Sequence, residues 1–184
     1  MDNLKDKKIL LCVTGSIAAF KACEFIRLLR KQGCSVKVVM SNSAQDFIGK
    51  LSLAALSDNE VLTESNQSGL EHVKFAIEFD AVVVLPATAN ILCKAGSGIA
   101  DDIISTILSI CEQPKLFAPA MNFRMWQSEA TQQAVKKLKN QRSGGSRPGW
   151  PASSTHLAET QQAYDRSRTG RARGKIVIEV VPEG

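Results

Sequence analysis

KILLCVTGSIAAFKACEFIRLLRKQGCSVKVVM, residues 8–40, is the stretch that decides the fold. Residues 8–13 form an apolar run of strand length that stops at Thr14-Gly15-Ser16, where turn residues give way to a helical pattern. Over 17–31 the apolar Ala18, Ala22, Phe25, Ile26 and Leu29 recur at steps of three and four, and Gly33 follows as a C-cap. Residues 35–40 read as a second strand. Strand, helix, strand is a βαβ unit, which closes right-handed onto a parallel sheet.

The alternation continues outward from there. Residues 47–56 are helix-like, 81–85 (AVVVL) a buried strand, 99–111 helical, 115–118 a short strand and 129–139 a helix, with a further helical pattern in EHVKFAIEF at 71–79. This order predicts a single-domain α/β fold over 1–141, an open, doubly wound parallel sheet of Rossmann-like or flavodoxin-like kind. Such sheets bind ligands outside the carboxyl ends of their strands. Here those ends run into polar or small-residue loops: TGS at 14–16, SNS at 41–43, PATAN at 86–90 and PAMN at 119–122.

Beyond residue 141 the character changes. Gly, Ser, Pro and Arg dominate 142–173, with apolar residues too sparse for a core-facing helix, so 142–174 reads as an exposed, partly disordered stretch. Only 175–181 (KIVIEVV) recovers a strand pattern, and 142–184 is set apart as an atypical basic C-terminal segment. It carries much of the formal charge of +5, with seven Lys or Arg against four acids over 141–184. No basic patch is interleaved with aromatics, which argues against a nucleic-acid partner.

No apolar run approaches the roughly 20 residues of a membrane span, and residues 1–8 lack the apolar stretch of a secretory signal; a cytoplasmic protein without a membrane partner is expected. Five cysteines without C-x-x-C spacing fit neither a disulfide framework nor a zinc site, so no metal is expected.

The strand-end loops carry the function-capable groups. Thr14-Gly15-Ser16 opens a helix, where free N–H groups and a hydroxyl suit a phosphate as well as they suit a cap. Ser41 and Ser43 could bind a second part of the same ligand, or cap the next helix. Small residues at Ala87, Ala89, Gly96, Gly98 and Ala100 would let a planar ring approach the backbone, with Thr88 and Asn90 as polar groups beside it. His72 has the pKa class for general acid or base work, though a lone histidine near a helix is more often structural. Asn122, in PAMNFRMW, offers an amide donor beside apolar residues able to cover a ring.

Together, GSIAAFK at 15–21, the histidine of EHVKF, PATANILCKAGSGIADD at 86–102 and PAMNFRMW at 119–126 resemble the homo-oligomeric flavin-containing cysteine decarboxylases, over about 7–140. The resemblance implies FMN as cofactor, contacted by Gly15, Ser16, Ile17, Ser41, Ser43, Thr88, Ala89, Asn90, Ala120 and Met121. It implies catalytic roles for His72, as the active-site histidine, and for Asn122, which would bind the substrate carboxylate. A trimer or a dodecamer of such trimers is implied as well. The expected reaction is FMN-dependent decarboxylation of a cysteine moiety: that of the small molecule 4'-phosphopantothenoylcysteine in coenzyme A synthesis, or that of a cysteine-ended peptide left as an ene-thiol. A catalytically impaired flavin-binding regulatory module is the third reading. In the coenzyme A branch the resemblance places a proton-donating cysteine on a flap about thirty residues after PAMN, whereas here no cysteine follows Cys111.

Overall fold

Strand β1 (Lys8–Val13) shows in its burial why this sequence makes a two-sided sheet. Ile9, Leu11 and Val13 pack into one apolar cluster and Leu10 and Cys12 into the other, the period of two that a strand covered on both faces requires. The computed structural model describes residues 4–65, 78–140 and 155–157.

Four further strands join it: β2 (Ser35–Met40), β3 (Ala81–Ala87), β4 (Lys115–Pro119) and β5 (Thr155–Leu157). Every pairing is parallel, in the order β2-β1-β3-β4-β5. The register runs Lys8↔Ser35 to Val13↔Met40 on one side of β1 and Ile9↔Ala81 to Cys12↔Val84 on the other. The chain therefore reverses its direction of winding between β1 and β3. The short β5 lies inside the stretch whose composition predicts exposed, irregular chain, and pairs Thr155 with Lys115. The helix expected around His72 and the strand expected over 175–181 fall on residues outside those described.

Helices α1 (Lys21–Lys31) and α2 (Lys50–Ser57) contribute Ala22, Ile26, Leu29 and Leu53 to one cluster. On the other face, α3 (Ala89–Ser97), α4 (Ile103–Ile110) and α6 (Glu129–Asn140) contribute Ile91, Leu92, Ile104, Ile107 and Leu138, with the short α5 (Phe123–Gln127) leading into α6. Helix α1 ends as its sequence predicts. Gly33, at φ +81°, donates to Arg30 O and Cys34 to Leu29 O, the paired hydrogen bonds of a Schellman motif.

Several boundaries differ from the sequence reading for local reasons. The helix expected over 17–31 opens as a 3-10 turn (Ile17–Phe20), and the one expected over 47–56 begins only at Lys50, after another such turn (Asn42–Asp46). The helix expected over 99–111 starts at Ile103, because Asp102 and Ser105 form a reciprocal capping box there. Helix α3 has no counterpart in the sequence reading, which saw loop chemistry around 86–102. A Cβ on Gly96 would sit 2.9 Å from Ala134 Cα, so this glycine serves the approach of α3 to α6 rather than that of a ring. Gly98, at φ +71°, closes α3 as its C-cap.

Candidate functional site

The reversal between β1 and β3 splays the loops that follow them, and the two are tied together at once. Buried Thr14 donates from Oγ1 to Pro86 O at 2.6 Å and lies 3.4 Å from Thr88 Oγ1. The loop after β2 closes from the other side. A Cβ on Gly15 would stand 2.4 Å from Ser43 Oγ and 2.9 Å from its carbonyl oxygen, so only glycine permits that approach. Ser16 Oγ accepts from Ala18 N at 3.3 Å and Ser41 Oγ from Ala44 N at 3.2 Å, while Ser41 Oγ and Ser43 Oγ lie 3.1 Å apart. These caps leave each hydroxyl hydrogen free to donate onward, or to the neighbouring serine.

Between the loops lies a cavity of about 260 Å³ whose wall includes Thr14, Ser41, Ser43, Thr88 and Asn90, with Ile91 and Ile104 as apolar surface. Its charged groups are Glu64, Lys94 and Asp102. Lys94 Nζ lies 2.6 Å from Asp101 Oδ1 and 2.7 Å from Asp102 Oδ2, and these two hydrogen bonds, to Asp101 first, hold its ammonium above the usual lysine range. Burial alone would raise the Asp102 carboxyl; the Lys94 and Ser105 hydrogen bonds outweigh it and leave the group below the usual carboxylate range. Glu64 Oε1 accepts from Ile103 N at 3.0 Å, at the start of α4. The lysine is thus spoken for by two carboxylates, which leaves the serine hydroxyls and loop N–H groups as the donors for an anion.

One strand further, β4 runs into the PAMN turn, latched to the end of β3 by Ala120 N donating to Ala87 O at 3.0 Å. Asn122 is exposed and caps α5, accepting from Arg124 N through Oδ1 at 2.9 Å. The cap engages the amide oxygen, so the group Asn122 can offer a ligand is its Nδ2 donor. A second, open cavity of about 440 Å³ lies between α3, α5 and α6, with Ala89, Asn90, Cys93, Arg124 and Met125 in its wall. Asn90 belongs to both.

The residues singled out from sequence are distributed accordingly. Ser41, Ser43, Thr88 and Asn90 line the first cavity and Ala89 the second, while Gly15 reaches the first only through its contact with Ser43 and Ser16 caps the turn that follows. Ala120 is buried, Met121 packs half-buried against the core, and Ile17 is 78% exposed. His72 lies outside the described residues. Glu64, Lys94, Asp102 and Arg124 have no role in the sequence reading, although all but Glu64 lie in the motifs at 86–102 and 119–126. Only the capping box from Asp102 to Ser105 carried a local signal, because the other groups meet across separate elements.

None of the five cysteines forms a disulfide; Cys12, Cys34 and Cys111 are buried and Cys23 and Cys93 half-buried. Burial drives the Cys12 and Cys34 thiols up and pushes Cys111 to about 11, which disfavours the thiolate form in all three. Among the described residues no group of three or more His, Cys, Asp or Glu side chains could hold a metal ion, and no helix is long and apolar enough to cross a membrane.

Known proteins share both the sequence and this architecture. The chain is 40% identical over 139 residues to the coenzyme A biosynthesis bifunctional protein CoaBC of Bacillus subtilis (strain 168), a match covering 73% of this chain and 34% of that protein. It thus spans about a third of the length of such bifunctional relatives. It is also 40% identical over 139 residues to a probable phosphopantothenoylcysteine decarboxylase of Streptococcus mutans, covering 72% of this chain and 78% of the relative. Among solved structures, peptidyl-cysteine decarboxylase EpiD superposes with a TM-score of 0.68 at 32% identity, over 73% of this chain and 82% of that one. The FMN-dependent cysteine decarboxylase TvaF from thioviridamide biosynthesis does so at 0.73 and 28%, over 89% and 96%. The Flavoprotein family matches residues 1–159, the span that holds the sheet and both cavities, and the chain belongs to that family.

Proposed function

We propose that the chain is an FMN-dependent carboxy-lyase that decarboxylates the cysteine moiety of 4'-phosphopantothenoylcysteine to give 4'-phosphopantetheine, a step of coenzyme A synthesis. The observation that carries this reading is the convergence at the β1/β3 reversal. Gly15 admits Ser43, Thr14 joins Pro86, and the resulting hydroxyl-lined cavity shares Asn90 with the neighbouring space beside the Asn122 turn. The names of the CoaBC and Streptococcus relatives point to the small-molecule substrate rather than a peptide.

The donor set fits FMN. A phosphate needs N–H and O–H donors, which Ser16, Ser41 and Ser43 supply at loops where Gly15 leaves no side chain in the way. A planar ring needs flat, small-residue surface with a few amides, which Thr88, Ala89 and Asn90 provide in the cavity walls; Ala120 and Met121 join them on the family resemblance alone. Bound FMN would supply two-electron chemistry: it would accept a hydride equivalent from the cysteine moiety and, after carbon dioxide has left, give it back together with a proton from water, so that the decarboxylation is redox-neutral overall. The protein's own part is orientation and proton handling. Asn122 donates its amide to the substrate carboxylate and holds the bond to be broken; His72 serves as the acid or base.

The chain acts in the cytoplasm as a homo-oligomer, a trimer or a dodecamer. Exposed Ile17, Phe20, Phe47 and Leu51 follow the two loops that meet at Gly15 and Ser43, and a second copy would cover them.

The test is direct. Purified protein should bind one FMN per chain, release carbon dioxide from 4'-phosphopantothenoylcysteine and yield a product of phosphopantetheine mass. A colourless protein that takes up no added FMN overturns the reading. A product lighter by two hydrogens would mean that the reaction stops at the ene-thiol.

A further inference from the structure

Resting on that reading and extending it to the rest of the substrate, we propose that the open cavity between α3, α5 and α6 seats the substrate's acyl arm. Arg124 then recognises the phosphate at its end. The substrate joins a carboxylate to a phosphate through an arm that carries two amides, a hydroxyl and a gem-dimethyl carbon, and the cavity and the turn beside it supply groups for the two charged ends and for the aliphatic parts. Asn122 offers an amide donor, Ala89, Met125 and Ala130 offer apolar wall, and Arg124 offers a guanidinium. The placement is fixed by the same turn. Arg124 N donates to Asn122 Oδ1 at 2.9 Å, so the turn that aims the amide also sets where the arginine leaves the backbone.

Charge supports the same occupant. Lys94 is held between Asp101 and Asp102, and Arg30 faces Asp58, whereas Arg124 has no ion pair among the described residues. A guanidinium in the wall of a largely apolar space suits a dianionic phosphate, which it can engage through two parallel N–H donors. The cavity also communicates with the cofactor site through Asn90, so an arm lying there has its reacting end beside the hydroxyl-lined space.

Calorimetric titration of the FMN-loaded chain with 4'-phosphopantetheine and with pantetheine tests the assignment apart from turnover. The wild type should bind the phosphorylated ligand at least about 10-fold more tightly, the scale of one charge-assisted contact. Arg124→Gln should erase that preference while leaving pantetheine affinity and FMN content unchanged, and Arg124→Lys should restore part of it. Equal affinity for the two ligands in the wild type, no binding of either, or a preference that survives Arg124→Gln would overturn the proposal. A wild type that shows the arginine-dependent preference yet releases no carbon dioxide would sustain the arm site and sink the proposed reaction.

Discussion

Asn122 divides its side chain between two tasks: Oδ1 holds the first turn of α5, and Nδ2 is the donor left for substrate. Aspartate caps as well as asparagine, so Asn122→Asp should keep the turn but replace the donor with a negative charge. Two like charges about 4 Å apart repel by about 4 kcal/mol at an effective dielectric of 20. Decarboxylation should therefore fall by at least about 100-fold with FMN content and urea midpoint unchanged, measured by carbon dioxide release and flavin absorbance; undiminished turnover would remove Asn122 from the carboxylate. Gly15→Ala works the other way. Its Cβ would meet Ser43 Oγ and carbonyl oxygen, forcing the 41–43 loop outward and loosening the anion donors while the sheet persists. The expected result is a folded chain that retains less than a tenth of the FMN of the wild type, read by absorbance after gel filtration.

At the scale of elements, the start of α4 is where helix capping and the cavity's charge coincide. Asp102 caps the helix, forms a box with Ser105 and pairs with Lys94, while Glu64 reaches the next N–H. Because its folded pKa lies below the unfolded value of about 3.9, its contribution is complete above that value and fades as pH falls through the folded one. Lys94, shifted upward, contributes fully below the ordinary lysine range and loses its part only as pH rises past its folded value. Asp102→Ala should thus cost about 1–3 kcal/mol in urea unfolding at pH 7 and clearly less at pH 3. An equal cost at both would mean that charge is not involved. The elements that sequence reveals are those with one dominant local pattern: β1, β2, β4 and α6 agree to within a residue. Helix α3 was hidden because its late Gly96 reads as a breaker until Ala134 is seen against it, and the Lys94 pairings were hidden because they join α3 to residues before α4. Of the candidate site, the serine and PAMN loops stood out as strand-end chemistry. Glu64 and Arg124 did not, since charged residues in loops and short helices are common and only their neighbours in space distinguish them.

For the molecule as a whole, the order β2-β1-β3-β4-β5 brings the loops after β1, β2 and β3 to one edge and leaves large apolar side chains beside them in water. Ile17 at 78% and Leu51 at 84% exposure are costly on an isolated chain, which is why assembly is expected. Light scattering should return about three times the 19.9 kDa chain mass, or about twelve times it, and Leu51→Asp should shift the distribution toward smaller species. A wild-type monomer at micromolar concentration would count against the interface. Asn90 stands in the walls of both cavities, and this has a thermodynamic consequence. Whatever bias one occupant imposes on that amide is felt by the other, so the factor by which the first changes the affinity of the second must equal the factor in the reverse direction. Filling either space alone therefore measures a different protein from filling both.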